Sequence, residues 1–423
     1  MTQDSLVRPL AQLARRAGAV LKLSSGDQRN VFLAALAGQL RAQASAIMAA
    51  NTVDLATGEI AGLSGAMLDR LRLDRARIDN MAADVEHVAT LPDPLSQRFE
   101  ASVRPNGLAV HKRRVPLGVL GVIYESRPNV TIDVAALAIK TGNAAVLRGG
   151  KEAIESNRIL LGIAREALAA AGLPADALQF IDSVEREATL ALLRLDDLID
   201  LIIPRGGAGL HAFCRRESKI PVITGGIGIC HLYVDSNADL ERALPVIRNA
   251  KVQRPTVCNA LDTVLVHRQI ANRFIPPLVE LLGGDGVEFR CDDASLPLAD
   301  AVPGARVRPA GDEDFDTEWL ALVLGIAIVD DVTAAMRHIE AHSSGHSDGI
   351  LTEDVVLAQA FLERIDSAAV YWNASTRFTD GAELGLGAEV AVSTQRLHAR
   401  GPMGLNELTS YKWVIEGAYH VRA

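Results

Sequence analysis

From Ala11 to about Thr90 apolar residues, chiefly alanine and leucine, recur every three to four positions with Arg, Gln and Asp between them, as in RNVFLAALAGQLRAQASAIMAA. That period lines one face of a helix and predicts a helical start to the chain. Between residues 99 and 124, in FEASVRPNGLAVHKRRVPLGVLGVIY, the runs shorten and alternate, and they break at Asn106-Gly107, the dipeptide best suited to a tight hairpin turn. A hairpin arm is expected there. From Val119 onward an apolar β-branched run, a Gly-rich or polar turn and an amphipathic helix follow one another repeatedly, as in AAVLRGGKEAIESNRILLGIAREALAAAG, DLIDLIIPRGGAGLHAFCRRES and then IPVITGG. Strands alternating with helices imply right-handed crossovers and a mainly parallel sheet.

A second such series begins after Ile227, with HLYVD, LDTVLVH, LALVLGIAIVD, GILT and AAVYWNAS as its strand candidates. Two doubly wound α/β domains are therefore expected. The tail from Gly401 ends in an aromatic-rich alternating strand, SYKWVIEGAYHV, whose partner is either the hairpin arm or another subunit, since a bare apolar edge invites association. The boundaries drawn from this pattern put residues 1–99 and 119–226 in one α/β domain. Residues 227–400 form the second, and 100–118 with 401–423 form a small β arm for oligomerisation.

Composition narrows the partners. A chain of 423 residues with 49% apolar content exceeds one core, and a net charge of −9 leaves no basic footprint for nucleic acid or an anionic membrane. No apolar run approaches a membrane span and the N-terminus has no signal-peptide core, so a cytoplasmic protein is expected. Cys214, Cys230, Cys258 and Cys291 lie far apart without metal-ligand spacing, which reads as reduced thiols rather than a disulfide framework.

Two turns attract attention as anion sites. In VLRGGKEA, Arg148 and Lys151 flank a Gly-Gly turn that opens a helix; in IIPRGGAGLHAF, Arg205 stands beside Gly206 and Gly207. Neither is a GxGxxG or Walker loop, and solvent-facing charge on an ordinary turn is the plain alternative. Two basic Gly turns in one sheet nonetheless favour a dinucleotide or phosphate at the carboxyl ends of the strands. Cys258 follows Arg254, Pro255 and Thr256 and precedes Asn259, a polar setting suited to a reactive thiolate, whereas the other cysteines lack that context. His342 and His346 stand four apart, but Ser343, Ser344 and Gly345 end the helix between them, so no metal is expected.

Several blocks then coincide with one family. NAKVQRPTVCNALDTVLVH, IEAHSSGHSDGILTED, GLGAEVAVSTQRLHARGPMGL and SRPNVTIDVAALAIKTGNAAVLRGGKEA, in that family's order, resemble the γ-glutamyl phosphate reductases, a divergent branch of the aldehyde dehydrogenase superfamily. The resemblance runs through nearly the whole chain and implies an aldehyde-dehydrogenase-like fold. It implies Cys258 as nucleophile and Asn129, in SRPNV, as the amide that with the cysteine's backbone N–H holds the oxyanion. Arg148 takes the place of a lysine that contacts the adenosine ribose, and Glu318 that of a glutamate bonded to the nicotinamide ribose. Arg127, Arg254 and Arg377 beside matched motifs are candidates for substrate charge, with His346 and Asp348 as candidate pocket residues.

Two departures from the hydrolytic relatives refine this. Ile223 stands where they carry the glutamate that activates water, so the acyl group should pass to or from phosphate. Lys151 stands where NAD-preferring relatives carry a glutamate, which favours NADP. The resemblance implies NADPH-dependent reduction of γ-glutamyl phosphate in proline biosynthesis, homo-oligomers and transient contact with glutamate 5-kinase. An ordinary aldehyde or acyl-CoA dehydrogenase and a non-enzymatic scaffold are the rival readings; the latter is disfavoured because nucleophile and oxyanion donor are both present.

Overall fold

A computed structural model describes residues 3–225 and 227–422. The chain divides into two compact units, one of residues 1–224, 385–391 and 403–423, the other of 225–384 and 392–402.

The first unit opens with helices Gln3–Leu21, Gly26–Ala42, Ala44–Ile60, Gly65–Leu71 and Arg75–Thr90, the helical start that the leucine and alanine period predicts. No single described helix is long and apolar enough to cross a membrane. The hairpin arm follows as β1 (Arg98–Val103) and β2 (Ala109–Pro116), antiparallel, with Val103 opposite Ala109. The tight turn expected at Asn106-Gly107 is present, closed by the Arg104 N–H on the Leu108 carbonyl at 2.8 Å. Pro105 and Asn106 sit at its centre, the Gly107 N–H donates to the Arg104 carbonyl at 2.8 Å, and Gly107 takes φ +89, a value open to glycine without strain.

The parallel sheet of this unit comprises β3 (Val119–Tyr124), β4 (Ala144–Arg148), β5 (Leu178–Phe180) and β6 (Leu201–Arg205), in the order β5-β4-β3-β6. All six residues of β3 are buried, which is why VLGVIY reads as an unbroken apolar run rather than an alternation. Strand order reverses at β3, so the chain leaves on opposite sides of it and opens a crevice at the carboxyl ends of β3, β4 and β6. Tyr124, Arg148 and Arg205 end those strands. IPVITGG does not form the strand its composition suggests. Val222 makes only an isolated bridge to Ile202, and Pro221 has no N–H to give a ladder.

The second unit is built on seven parallel strands: β7 (Cys230–Val234), β8 (Leu261–His267), β9 (Glu288–Cys291), β10 (Arg306–Pro309), β11 (Val323–Val329), β12 (Ser347–Leu351) and β13 (Ala369–Trp372). Their order is β10-β9-β11-β8-β7-β12-β13. The five strands expected from the apolar runs are present. β9 and β10 went unread because each has only four residues and is partly exposed, β10 at the sheet edge and β9 beside it, which leaves them polar.

The strand Thr409–Glu416 pairs antiparallel with β2 of its own chain, Trp413 opposite Lys112 and Val414 opposite His111. Of the two partners left open by the sequence, the arm is the one seen. Tyr411, Trp413 and Ile415 stay exposed, and the Lys112 ammonium lies 4.4 Å from the Tyr411 ring centre and 5.0 Å from that of Trp413.

Candidate active site

In the first unit the three carboxyl ends bring most of the expected cofactor residues together. Arg148 ends β4, half-buried, and donates to the Val184 carbonyl at 3.3 Å; its Nε is buried with no partner among the described residues. Burial pushes its guanidinium below the usual range, against the pull of Glu152 and Glu125. Lys151 is exposed and begins a short 3₁₀ turn, Lys151–Ala153, ahead of the helix Ile154–Ala170. A Cβ on Gly206 would lie 2.3 Å from the Glu125 carboxylate, so only glycine lets that group settle on the turn. The Gly207 N–H, at the start of the helix Ala208–Glu217, donates to Glu125 at 3.1 Å.

Those two carboxylates were not foreseen. Glu152 accepts from the Ser126 N–H at 2.6 Å and its hydroxyl at 2.7 Å, holding Ser126 at φ +42, a region that L-residues rarely adopt. Arg127 and Asn129 leave from that clamped bend. The Asn129 side-chain amide donates to Asp133 at 3.0 Å, and burial raises the Asp133 carboxyl to about 7, with Arg205 opposing and Asp84 reinforcing the shift. The clue in the sequence was the i, i+4 spacing of Asn129 and Asp133 on one helix.

In the second unit the candidates lie at the opposite ends of the strands. Gly228 precedes β7, Cys258 precedes β8, Glu318 precedes β11 and His346 precedes β12, and those four strands are neighbours in the order β11-β8-β7-β12. Cys258 is half-buried, on a turn after the helix Leu240–Val252. Its carbonyl accepts from the Cys230 thiol at 3.3 Å. The Gly228 N–H donates to Glu318 at 2.9 Å, so Glu318 anchors the segment that closes on Cys258.

Asn259 ties the other side. Its amide donates to the Thr379 carbonyl at 2.9 Å and the Arg377 carbonyl at 3.3 Å, while its own carbonyl accepts from Thr376 at 2.7 Å. The Arg377 guanidinium in turn donates to the side chains of Asn259 and, at 3.0 Å, Gln253. Arg377 thus straddles the loop 254–258. His346 is fully buried and hydrogen-bonded to Ser347 at 2.8 Å, and Ser347 to Thr379 at 2.6 Å, so it supports this loop from behind. Asp348, held by His231, Ser343 and Ser367, is wholly buried structure rather than pocket lining. His342 ends its helix on Asp316, apart from His346.

Gly228 gives a direct test of this packing. A Cβ there would stand 1.4 Å from the Cys258 carbonyl oxygen and 2.8 Å from its Cα, so backbone has to move. Gly228→Ala is expected to cost about 1–3 kcal/mol of stability and most of the turnover, read by thermal unfolding and initial rates. An unchanged melting temperature and rate would show that the close approach is unnecessary.

The other three thiols lie in the core, and burial raises Cys214 to about 12 and Cys291 to about 11, with Cys230 pushed well above the normal thiol range. Ile223, where hydrolytic enzymes would need a base, is buried.

Two parallel α/β units, one with Gly-rich turns at the carboxyl ends of its strands and one with a pinned cysteine loop, are the parts of a nicotinamide-dependent oxidoreductase. The aldehyde dehydrogenase family model matches residues 3–284, and the chain belongs to that family. Within it the chain falls among the γ-glutamyl phosphate reductases. It is 55% identical over 414 residues to the γ-glutamyl phosphate reductase of Roseiflexus castenholzii, covering 97% of this chain and 98% of that one. The enzyme of the same name from Aeromonas salmonicida is 56% identical over 406 residues, with 96% and 97% covered. The crystal structure of the Thermotoga maritima γ-glutamyl phosphate reductase superposes with a TM-score of 0.95 at 43% identity, covering 99% of this chain and all of that one. An acetylating aldehyde dehydrogenase from Geobacillus thermoglucosidasius, 19% identical with a TM-score of 0.70, shares the fold.

Proposed function

We propose that the chain reduces γ-glutamyl phosphate to L-glutamate 5-semialdehyde with NADPH, through a thioester on Cys258, as the second step of L-proline synthesis from glutamate in the cytoplasm. The observation that carries this is the contrast among the thiols. Three are buried and held in the neutral form, while Cys258 alone sits half-buried on a polar loop pinned by Gly228 on one side and Asn259 on the other. The Cys258 thiolate attacks the acyl carbon and phosphate departs with the bonding electrons, leaving the thioester. The nicotinamide cofactor, when bound, supplies the hydride that reduces it. The Asn129 amide and the Cys258 backbone N–H hold the oxygen that turns negative before and after that step, and collapse returns the thiolate. The buried aliphatic side chain of Ile223 supplies no base, so it cannot activate water against the thioester.

Arg148, Lys151, Gly206 and Gly207 would hold the cofactor. The fit is supported by the strand-order reversal at β3 and by the open space at Gly207, where a Cβ would meet no atom within 4 Å. Glu318 is assigned to the nicotinamide ribose. Arg127, Arg254 and Arg377 are assigned to charge for a substrate that carries both a carboxylate and a phosphate, and His346 to support of the Thr379 segment beside Arg377. The exposed Tyr411, Trp413 and Ile415 face is assigned to self-association into homo-oligomers. Because an acyl phosphate is labile in water, transient contact with glutamate 5-kinase would shorten its exposure. The decisive assay is phosphate-dependent reduction of NADP by glutamate 5-semialdehyde. Reduction that proceeds equally well without phosphate would favour an ordinary aldehyde dehydrogenase.

Cofactor choice rests on Lys151. A 2′-phosphate gains charge-assisted hydrogen bonds of about 1.5–3 kcal/mol each, less desolvation, and Glu125 and Glu152 nearby make an uncompensated phosphate more costly. Lys151→Glu is expected to raise the Michaelis constant for NADPH roughly 10-fold or more while leaving NADH nearly unchanged. Equal weakening of both cofactors, or a parent enzyme that prefers NADH, would remove this turn as the 2′-phosphate site.

A further inference from the structure

We propose that Arg254 and Arg377 together form the site for the phosphate group of the substrate, distinct from whatever holds its α-carboxylate. The inference deepens the thioester reading and rests on it. Arg377 reaches Gln253 at one end of the cysteine loop and Asn259 at the other, so its guanidinium lies across the segment Arg254–Cys258. Both partners are neutral amides. They orient the guanidinium without cancelling its charge, unlike the carboxylates that pair Arg248, Arg268 and Arg400 elsewhere in this unit. Arg254 is exposed, and among the described residues neither it nor Arg377 makes an ion pair with a carboxylate.

Arg377 is bonded to Gln253, the chain neighbour of Arg254, so both arginines stand at the same end of the cysteine loop. Burial and the like charge of Arg254 push the Arg377 guanidinium below its usual range, while Asp380 and Cys258 pull the other way. Two cations at one end of a loop, one of them bonded only to neutral amides, are better matched by a doubly charged anion than by a singly charged one. A phosphate carries nearly two negative charges at neutral pH and a carboxylate one. The acyl phosphate places its phosphate one bond from the carbon that Cys258 attacks, so a dianion site beside the cysteine loop is where the leaving group must be received. In the forward step the sulfur–carbon bond forms, the carbon–oxygen bond to phosphate breaks, and phosphate takes the electron pair. In reverse a phosphate oxygen bonds to the acyl carbon and Cys258 leaves as thiolate. Neither direction changes an oxidation state.

The reverse reaction separates the two anions because semialdehyde and phosphate are then different molecules. With NADP, glutamate 5-semialdehyde and inorganic phosphate as probes, Arg377→Gln and Arg254→Gln are each expected to raise the Michaelis constant for phosphate roughly 10- to 100-fold. That for the semialdehyde should move less than about threefold. Stopped-flow mixing without phosphate should still give a burst of NADPH matching the Cys258 content, because the acyl-enzyme forms before phosphate is needed. Arg254→Gln is the safer variant for folding, since Arg377 also braces Asn259, and Arg377→Lys should restore part of the phosphate affinity. A raised constant for semialdehyde with phosphate unaffected would reassign the pair to the α-carboxylate. A normal burst with unchanged phosphate dependence in both glutamine variants overturns the assignment alone. A native enzyme without any burst overturns the thioester reading beneath it.

Discussion

Cys258→Ala is expected to lower turnover roughly 10⁴-fold or more, because the variant has no atom that can form the acyl-enzyme bond. The same replacement at Cys214, Cys230 or Cys291 should leave the rate within about threefold while lowering stability, since each is a buried small apolar side chain whose loss opens a cavity. The separation of the four follows from their surroundings. A thiol raised to about 11 or 12 by burial is neutral at pH 7 and cannot attack, which covers Cys214 and Cys291. Cys230 is raised further and its thiol is already committed to the Cys258 carbonyl. Initial rates with each purified variant, together with mass spectrometry of the acid-quenched native enzyme, give the answer. Substantial turnover by the Cys258 variant, or an acyl adduct on another cysteine, would sink the covalent mechanism.

The fold was legible wherever burial was complete. β3 buries every residue and stands out as an unbroken apolar run, β8 is fully buried around the apolar core VLV, and the helices before Thr90 carry a regular apolar stripe. What escaped were elements whose burial is shared out. β9 and β10, four residues each at or next to the sheet edge, are too short to be distinguished from loop, and IPVITGG has strand composition but lacks the donor that a ladder needs. The site divided along a similar line. Cys258 and Asn129 could be chosen from local context and resemblance because each is one residue with one role. The partners that hold them come from distant parts of the chain: Gly228 against Cys258, Arg377 against Asn259, Glu152 against Ser126. No spacing rule links residues 118 positions apart, as Asn259 and Arg377 are. The carboxyl-end rule for α/β sheets describes the candidates of the first unit, where Arg148 and Gly206 end or follow their strands, but not those of the second, which precede theirs.

Asn129→Ala is expected to lower the single-turnover rate roughly 10² to 10³-fold, the scale for losing one oxyanion donor, with the Michaelis constants little changed. An amide that strengthens its hydrogen bond only as charge develops acts on the transition state, so the loss belongs in kcat. The position favours a clean experiment. Asn129 is the first residue of the helix Asn129–Lys140, where alanine propagates a helix well, so the backbone should not rearrange. The partner left behind is Asp133, which accepts one N–H of the Asn129 amide and leaves the second for substrate. Its carboxyl is already raised to about 7 by burial, and the Asn129 hydrogen bond is one of the influences holding it down. Removing that bond moves it further up, so at neutral pH Asp133 takes a proton instead of leaving a buried unpaired charge. The sign of the stability effect follows. A carboxyl raised in the folded state weakens folding as pH climbs from its unfolded value of about 4 through 7, so the variant should match the native melting temperature at pH 5 and fall below it at pH 8. A variant whose single-turnover rate equals the native one at both pH values, while the melting shift at pH 8 confirms that the Asp133 contact is gone, would remove Asn129 from the catalytic machinery.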